Sequence, residues 1–471
     1  MIAGAGLAGL TAALAARSVG ARVLVLEAAP PSLRGGSTRL SDGIFSAGFD
    51  PDPVAIERGP LDADLPKTLA SAAAATLGWL GSHEISLREL RFDPVVGAPA
   101  SGGLPLRQSL GGGPGLSSRL FELAQRHGIR VRYESRLADI EHEGSRLTAA
   151  VVQSPQGRRS LPCRTIVLAT GGFGASSELR ARYLGACWSS AKTAGSRFNL
   201  GDGLRLALVR GAVATGDFGS CVAWPWEATA PPFGEPERPD VFRRLAGGLG
   251  LLVNQLGLRC TDAVAGSSIA EQAQLARAII AQPGGIAFQI FDGSVQPPIL
   301  PASYAVTSAR SGATVEELAI HLALPPAALH ATVAAFNQVV ERPSVGADTP
   351  GRSFGDGWAP RPLRMAPFAG HPVTTAVVAT FGGIRTSTVS HVLSIWDRPI
   401  PGLFAAGEVV GGLFAGSYPD GAALTAAAVF GRRAGLAAAK AALQLPPTFD
   451  PADPEAERWL LATRSNDRAE G

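Results

Sequence analysis

The chain opens Met1-Ile2-Ala3-Gly4-Ala5-Gly6-Leu7-Ala8-Gly9-Leu10, and its glycines fit the spacing G-x-G-x-x-G. A helical pattern follows to about Gly20. Arg22-Val23-Leu24-Val25-Leu26 then reads as a buried strand ending at Glu27. In a strand–turn–helix unit each glycine has its own task. Gly4 permits the tight turn, Gly6 lets a phosphate approach the main chain, and Gly9 lets the helix pack against the strand. The helix start, with Leu7 and Ala8 in its first turn, offers unpaired N–H groups to a pyrophosphate. Glu27, followed by Ala28, is spaced to accept hydrogen bonds from a ribose 2′-OH. The glycines alone match many turns; strand, helix and acid together point to dinucleotide binding. After the initial methionine only Ile2 and Ala3 precede the glycines. Either the sheet tolerates a short strand or the start was placed late, the second being preferred.

Just beyond the acid stands Leu33-Arg34-Gly35-Gly36-Ser37-Thr38-Arg39. A second glycine doublet suits a second close approach of main chain to ligand, as a flavin extending past the pyrophosphate needs. At the far end, Ile400-Pro401-Gly402-Leu403-Phe404-Ala405-Ala406-Gly407-Glu408 reads as turn, buried strand and acid, a further piece of the same nucleotide fold.

At roughly 150 residues per domain, 471 residues suggest two or three domains. The net charge of +3 is too near neutral to suggest a nucleic-acid or membrane-surface partner. Hydrophobic residues make up 46%, as in globular chains. The cysteines at 163, 187, 221 and 260 form no CxxC pair or zinc spacing, so no metal is expected and a disulfide reductase is excluded. No apolar run reaches transmembrane length. The apolar start lacks a basic leader, which argues for the cytoplasm, with export by a partner left open.

The motifs GAGLAGL (4–10), VLVLEAAP (23–30), GGSTR (35–39), ATGGFG (169–174), RFNLGDGLRLA (197–207), TFGGI (380–384), PIPGLFAAGEVVGGLF (399–414) and SYPDGAALTAAAVFGRRAG (417–435) lie in order across almost the whole chain. In this the chain resembles the fumarate reductase/succinate dehydrogenase flavoprotein superfamily (FAD-binding family 2). It is most similar to tricarballylate dehydrogenase-type and 3-ketosteroid dehydrogenase-type FAD oxidoreductases. The resemblance implies an α/β fold: a Rossmann-type FAD-binding domain split in sequence (1–219 and 366–447), an inserted α+β capping domain (220–365), and a C-terminal tail (448–471). It implies that Glu27 holds the adenosine ribose. Gly35, Gly36, Ser37 and Thr38 would run beside pyrophosphate and flavin. Ala169, Thr170 and Gly171 would close over the adenine side, near the backbone of Arg136 and Leu137. Asn199 and Asp202 match the N-x-G-D-G stretch, and Gly407 and Glu408 the pair at the ribityl chain. Ala423 and Leu424, opening a helix, would face the flavin's N1/C2=O edge. No histidine stands at Ser37 or its neighbours, where the succinate dehydrogenase branch attaches FAD, so binding is expected to be non-covalent.

The resemblance implies hydride transfer between a substrate carbon and flavin N5, with a proton moving at the adjacent carbon. Three groups that grip dicarboxylates in the fumarate branch are missing. No arginine lies in 263–268, Val378 and Ala379 replace a histidine, and Tyr418 replaces a second arginine. In the ketosteroid branch a tyrosine at the position of Tyr418 holds the ketone oxygen, so a carbonyl small molecule is the favoured substrate. Asp420 is either a proton acceptor or a turn residue, and Arg39 either reaches the pocket or serves surface or phosphate. Tyr304 and His371 are weaker candidates, and Trp224 and Trp226 line an apolar pocket or fill the core. Arg385 and His391 read as exposed. A tricarballylate-like substrate would need Arg39 or an unassigned cap arginine. An FAD-binding protein without catalysis is the rival class. The electron acceptor is left open.

Overall fold

The computed structural model describes residues 1–48, 62, 64–90, 105–261, 268–295, 300–305, 308–341 and 361–444. The expected C-terminal tail (448–471) and residues 263–267 lie outside them. Numbered along the chain, the strands used below are β1 (Ile2–Ala3), β2 (Leu24–Leu26), β3 (Arg130–Arg132), β4 (Ile166–Leu168), β5 (Lys192–Thr193), β6 (Cys221–Glu227), β7 (Leu251–Val253), β8 (Ala287–Phe291), β9 (Arg310–Gly312), β10 (Phe368–Thr380), β11 (His391–Leu393) and β12 (Pro399–Ala405). The helices are α1 (Leu7–Ser18), α2 (Gly36–Arg39), α3 (Ile269–Ile280) and α4 (Ala422–Leu443).

The first sheet has the order β11-β12-β4-β1-β2-β3. Its pairings are parallel except β11 on β12. Short all-apolar strands such as Ile166-Val167-Leu168 suit a parallel sheet covered on both faces. β1 and β2 flank α1 as a βαβ unit, and β12 returns from the far end of the chain to pair with β4. That return is the split the sequence implied. α1 and α4 pack against each other through small residues: a Cβ on Gly435 would come within 2.7 Å of the Ala12 backbone. Both helices expose their N-termini at the same end of the sheet, where loops meet a ligand.

The second sheet has the order β5-β10-β8-β7, with β6 and β9 also on β10. Here the strands cross the expected boundaries of 220–365. β10, thirteen residues long, is the spine, and β5 is its parallel neighbour. A long strand with partners on both edges joins its sheet whatever its place in the chain. α3 carries a Ser268/Glu271 capping box and packs its apolar face on β6 and β10. A buried Arg244–Glu227 ion pair at 2.7 Å, extended by Ser308 and Thr229, pins this unit together.

Candidate active site

One cavity of about 430 Å³ runs between the two sheets and the ends of α1 and α4. That is ample for an organic ligand. Glu27, Ser135, Arg136 and Leu137 line one part of it; Asp42, Arg243 and Asp420 line the part close to Tyr418, and Trp224 is also in the lining.

The glycine loop fits a ligand held by main chain. Gly4 has φ +106°, and a Cβ there would lie 2.7 Å from the Ala169 carbonyl carbon. A Cβ on Gly9 would lie 3.0 Å from the Gly4 carbonyl carbon, so these two glycines serve the fold itself. Gly6 differs. A Cβ there would meet Thr38 Oγ1 at 3.5 Å and Gly35 O at 3.8 Å, both ordinary contacts, so no protein atom requires the missing side chain. The space over Gly6 belongs to the cavity. The Leu7 N–H donates to Thr38 Oγ1 at 2.9 Å, fixing α1 against α2.

Glu27 is buried and accepts from the N–H groups of Ala5 (3.2 Å) and Ala29 (2.9 Å). Burial raises its pKa above the usual carboxylate value, and the N–H donors oppose that rise. Ala28, Gly36, Ser37, Ala169 and Gly171 line the cavity beside the glycine loop. Thr170 lines the cavity, and its Oγ1 is buried with no partner among the described residues. Asn199 joins three segments: its Nδ2 donates to Ser37 Oγ (3.1 Å) and to Glu408 Oε2 (3.2 Å). Glu408 also accepts from the Thr380 N–H at 2.8 Å, and burial raises its pKa. Asp202 lines the cavity while paired with Arg136, and Gly407, Ala423 and Leu424 complete the lining.

The unmet Thr170 hydroxyl, the open face of Gly6 and the polar track from Glu27 to Glu408 together fit an extended dinucleotide. Gly9 and Gly35 stay outside the lining and act through packing; a Cβ on Gly35, at φ +103°, would crowd Ser117.

Tyr418 stands between Phe381 (6.0 Å) and Phe414 (5.6 Å). Burial pushes its phenol pKa up, with the charges of Glu408, Asp420 and Asp42 adding to the effect, so the hydroxyl stays protonated. Burial also raises the pKa of Asp420. The Tyr418 turn is clamped from below: Asp217 Oδ2 and Ser220 Oγ each accept from the Gly416 N–H at 3.0 Å.

Several expectations need correction. Arg39 is outside the cavity. Its guanidinium donates to Ser32 O at 2.7 Å and pairs with Glu237, because the tight turn of α2 directs Ser37 and Thr38 inward and Arg39 outward. Tyr304 and His371 lie in the cap core, where the Tyr304 hydroxyl donates to Gln289 at 2.6 Å and the two rings pack at 5.1 Å. Trp226 is fully buried, whereas Trp224 lines the cavity. His391 packs on Phe404 at 4.5 Å, half-buried rather than exposed. Arg385 pairs with Asp397 at 2.7 Å.

Other lining residues were not anticipated: Asp42, Ser196, Arg243, Gln272 and Thr380. Thr380 stood in the TFGG motif and was available to sequence reasoning; Arg243 carried no motif. No cluster of metal-ligating side chains exists among the described residues. None of their helices is long and apolar enough to cross a membrane.

The sequence matches the family described as FAD binding domain over residues 1–424. It is 30% identical to a probable fumarate reductase of Shewanella frigidimarina, covering 94% of this chain and 75% of that protein. It is also 30% identical over 403 residues to 4-oxocyclohexanecarboxylate 2-dehydrogenase of Sinomonas cyclohexanicum, covering 74% of this chain and 66% of the relative. The fold matches 3-ketosteroid delta1-dehydrogenase of Sterolibacterium denitrificans with a TM-score of 0.75, covering 93% and 98% of the two chains. Identity is 19%, so this likeness concerns fold alone. Cavity chemistry and family match agree: the chain belongs to the FAD-binding-domain family, among fumarate reductase-like flavoproteins, and its cofactor is FAD.

Proposed function

We propose that this FAD-dependent oxidoreductase, which acts on a CH–CH group, desaturates or reduces a C–C bond next to a ketone, with Tyr418 holding the ketone oxygen. The observation carrying this reading is the Tyr418 phenol, fixed between two aromatic rings in the cavity lining beside Asp420. FAD supplies the hydride acceptor or donor. Tyr418 donates a hydrogen bond to an oxygen that gains negative charge as the reaction proceeds, the kind of interaction that speeds the step rather than merely binding substrate. Asp420 shares this part of the cavity and is our assignment for the group that moves the proton at the neighbouring carbon. Burial raises its pKa, the direction a proton-exchanging carboxyl needs. With FAD bound, the first turn of α4, at Ala423 and Leu424 in the lining, would offer main-chain N–H groups to a flavin edge that becomes negative. The resemblance to an oxocyclohexane dehydrogenase supports a ring ketone.

We assign Gly4, Gly6, Leu7, Ala8, Glu27, Ala28, Gly36, Ser37, Thr38, Leu137, Ala169, Thr170, Gly171, Asn199, Asp202, Gly407 and Glu408 to FAD binding. FAD is held without a covalent link: at Ser37 a hydroxyl accepts from Asn199 and the Ser196 N–H. Residues 1–219 and 366–447 serve FAD, and 220–365 supply most of the cap. Four free thiols support a reducing, cytoplasmic setting.

The test is Tyr418→Phe. The variant should remain yellow and FAD-loaded but reduce its flavin with cyclic ketones about 10²-fold more slowly, the scale of one lost oxyanion donor. Wild-type rates in the variant would remove Tyr418 from the mechanism. A wild-type flavin inert to every ketone under anaerobic conditions would favour the FAD-binding protein without catalysis.

A further inference from the structure

Two cations line the cavity among the described residues. Arg136 lies in the Glu27 part and is paired with Asp202. Arg243 lies in the Tyr418 part, contributed by the cap where a bridge to Trp226 draws it inward. Its side chain is only 14% exposed. Nη1 donates to Asp42 Oδ2 at 2.8 Å, and Nε has no partner among the described residues. Burial alone would lower the Arg243 pKa; the Asp42 carboxylate outweighs it, so the guanidinium stays charged.

A guanidinium has two edges able to grip a carboxylate through paired N–H donors. Asp42 takes the outer nitrogen Nη1. The Nε/Nη2 edge keeps a buried donor with no partner among the described residues, a costly arrangement in a closed site. A ligand carboxylate forked across that edge removes the cost and leaves Asp42 in place.

We propose that Arg243 is the carboxylate anchor of the substrate site, so that the ketone at Tyr418 belongs to a molecule that also carries a carboxylate, a cyclic keto acid. The ketone half rests on the reading of Tyr418 above; the anchor stands on cavity geometry alone. Arg243 is a specificity-determining residue that replaces by tertiary position the missing fumarate-branch arginines.

The experiment separates the two halves by using probes without a ketone. Cyclohexanecarboxylate and cyclohexanecarboxamide are titrated calorimetrically into the FAD-loaded protein. Wild type should prefer the acid by at least about 10-fold, and Arg243→Gln should reduce that preference by about 10- to 100-fold, as for a hydrogen bond to a charged group. Asp42→Asn should bind the acid at least as tightly as wild type, because it removes a competing anion. An acid preference absent in wild type or unchanged in Arg243→Gln overturns the anchor. So does an Asp42→Asn variant that loses acid binding as Arg243→Gln does, which would show the pair to be only a strap between cap and FAD-binding unit. Should Arg243→Gln fail to load FAD, Arg243→Lys keeps the charge but not the fork. It should lower the preference about 10-fold, and an unchanged ratio there is equally decisive against the anchor. If ketones fail to reduce the flavin while the acid preference holds, the Tyr418 reading fails and the anchor survives.

Discussion

Gly4 and Gly6 sit two residues apart, yet the structure gives them opposite reasons for being glycine, and alanine at each should behave accordingly. Gly4 has φ +106°, and the atoms a Cβ would meet are backbone: the Ala169 carbonyl and Thr170 Cα at 3.3 Å. Left-handed backbone costs an L-residue about 1–2 kcal/mol, and overpacking that only backbone can relieve costs about 1–3 kcal/mol. Gly4→Ala should therefore lose about 2–5 kcal/mol, a large share of a usual 5–15 kcal/mol total. Gly6 has φ −76° and ψ −174°, open to any residue, and its Cβ would make only ordinary contacts, with Thr38 Oγ1 at 3.5 Å and Gly35 O at 3.8 Å. Alanine there is mildly unfavourable as a helix cap but reduces unfolded-state entropy, so the net change should stay within about 1 kcal/mol. Its cost should fall on the ligand: the methyl occupies the cavity where phosphate approaches main chain. The assay is thermal unfolding across a series of free FAD concentrations. Wild-type Tm should climb with FAD by mass action. Gly4→Ala should melt lower at every concentration, the FAD-free limit included. Gly6→Ala should match wild type without FAD and lose most of the FAD-dependent rise. If Gly6→Ala gains stability from FAD as wild type does, or melts as low as Gly4→Ala without it, the cradle is misassigned.

Asp217 is outside the cavity lining, yet it holds the Gly416 N–H and so the turn bearing Tyr418. Asp217→Ala should leave FAD loading intact and slow flavin reduction by about 10-fold, within the range of one positioning hydrogen bond. The same change in a Tyr418→Phe background should add little; equal fractional losses in both backgrounds would mean that Asp217 acts by another route. His371, in the cap core, has its pKa pushed down to about 4, first by burial and then by the Arg244 charge. Below an unfolded value near 6.5 the unfolded chain takes up a proton that the folded chain refuses. Stability from this group is thus complete above about pH 6.5 and falls as pH drops towards 4, by at most about 1.4 kcal/mol per unit. Unfolding midpoints at pH 7 and pH 5 measure the slope, which should be shallower in His371→Gln; parallel slopes would assign the acid lability to other groups.

The parts of this molecule that could be read from its sequence are those where main-chain geometry restricts the residue. Gly4-Ala5-Gly6 announced a tight turn because only glycine tolerates φ +106° there. The late segment 399–408 announced a parallel strand because a turn, an apolar run and an acid recur in that order, and β12 does pair with β4. The second sheet was less legible. β10 recruits Lys192–Thr193 from well before the cap, and pairing between distant strands depends on contacts that no local pattern encodes. Arg39 misled for a related reason. Adjacent residues of a helical turn point about 100° apart, so nearness to Ser37 and Thr38 in sequence said little about the direction of the next side chain. Arg243 is the reverse case. It has no motif, spacing or glycine beside it, and only a cap strand bridged at Trp226 brings it to the cavity. Backbone requirements leave a local trace; a side chain such as Arg243, brought in by an isolated bridge between distant segments, leaves none. For that reason the cofactor could be read before the fold was known, whereas the substrate charge could be argued only once Arg243 and Tyr418 were found to share one part of one cavity.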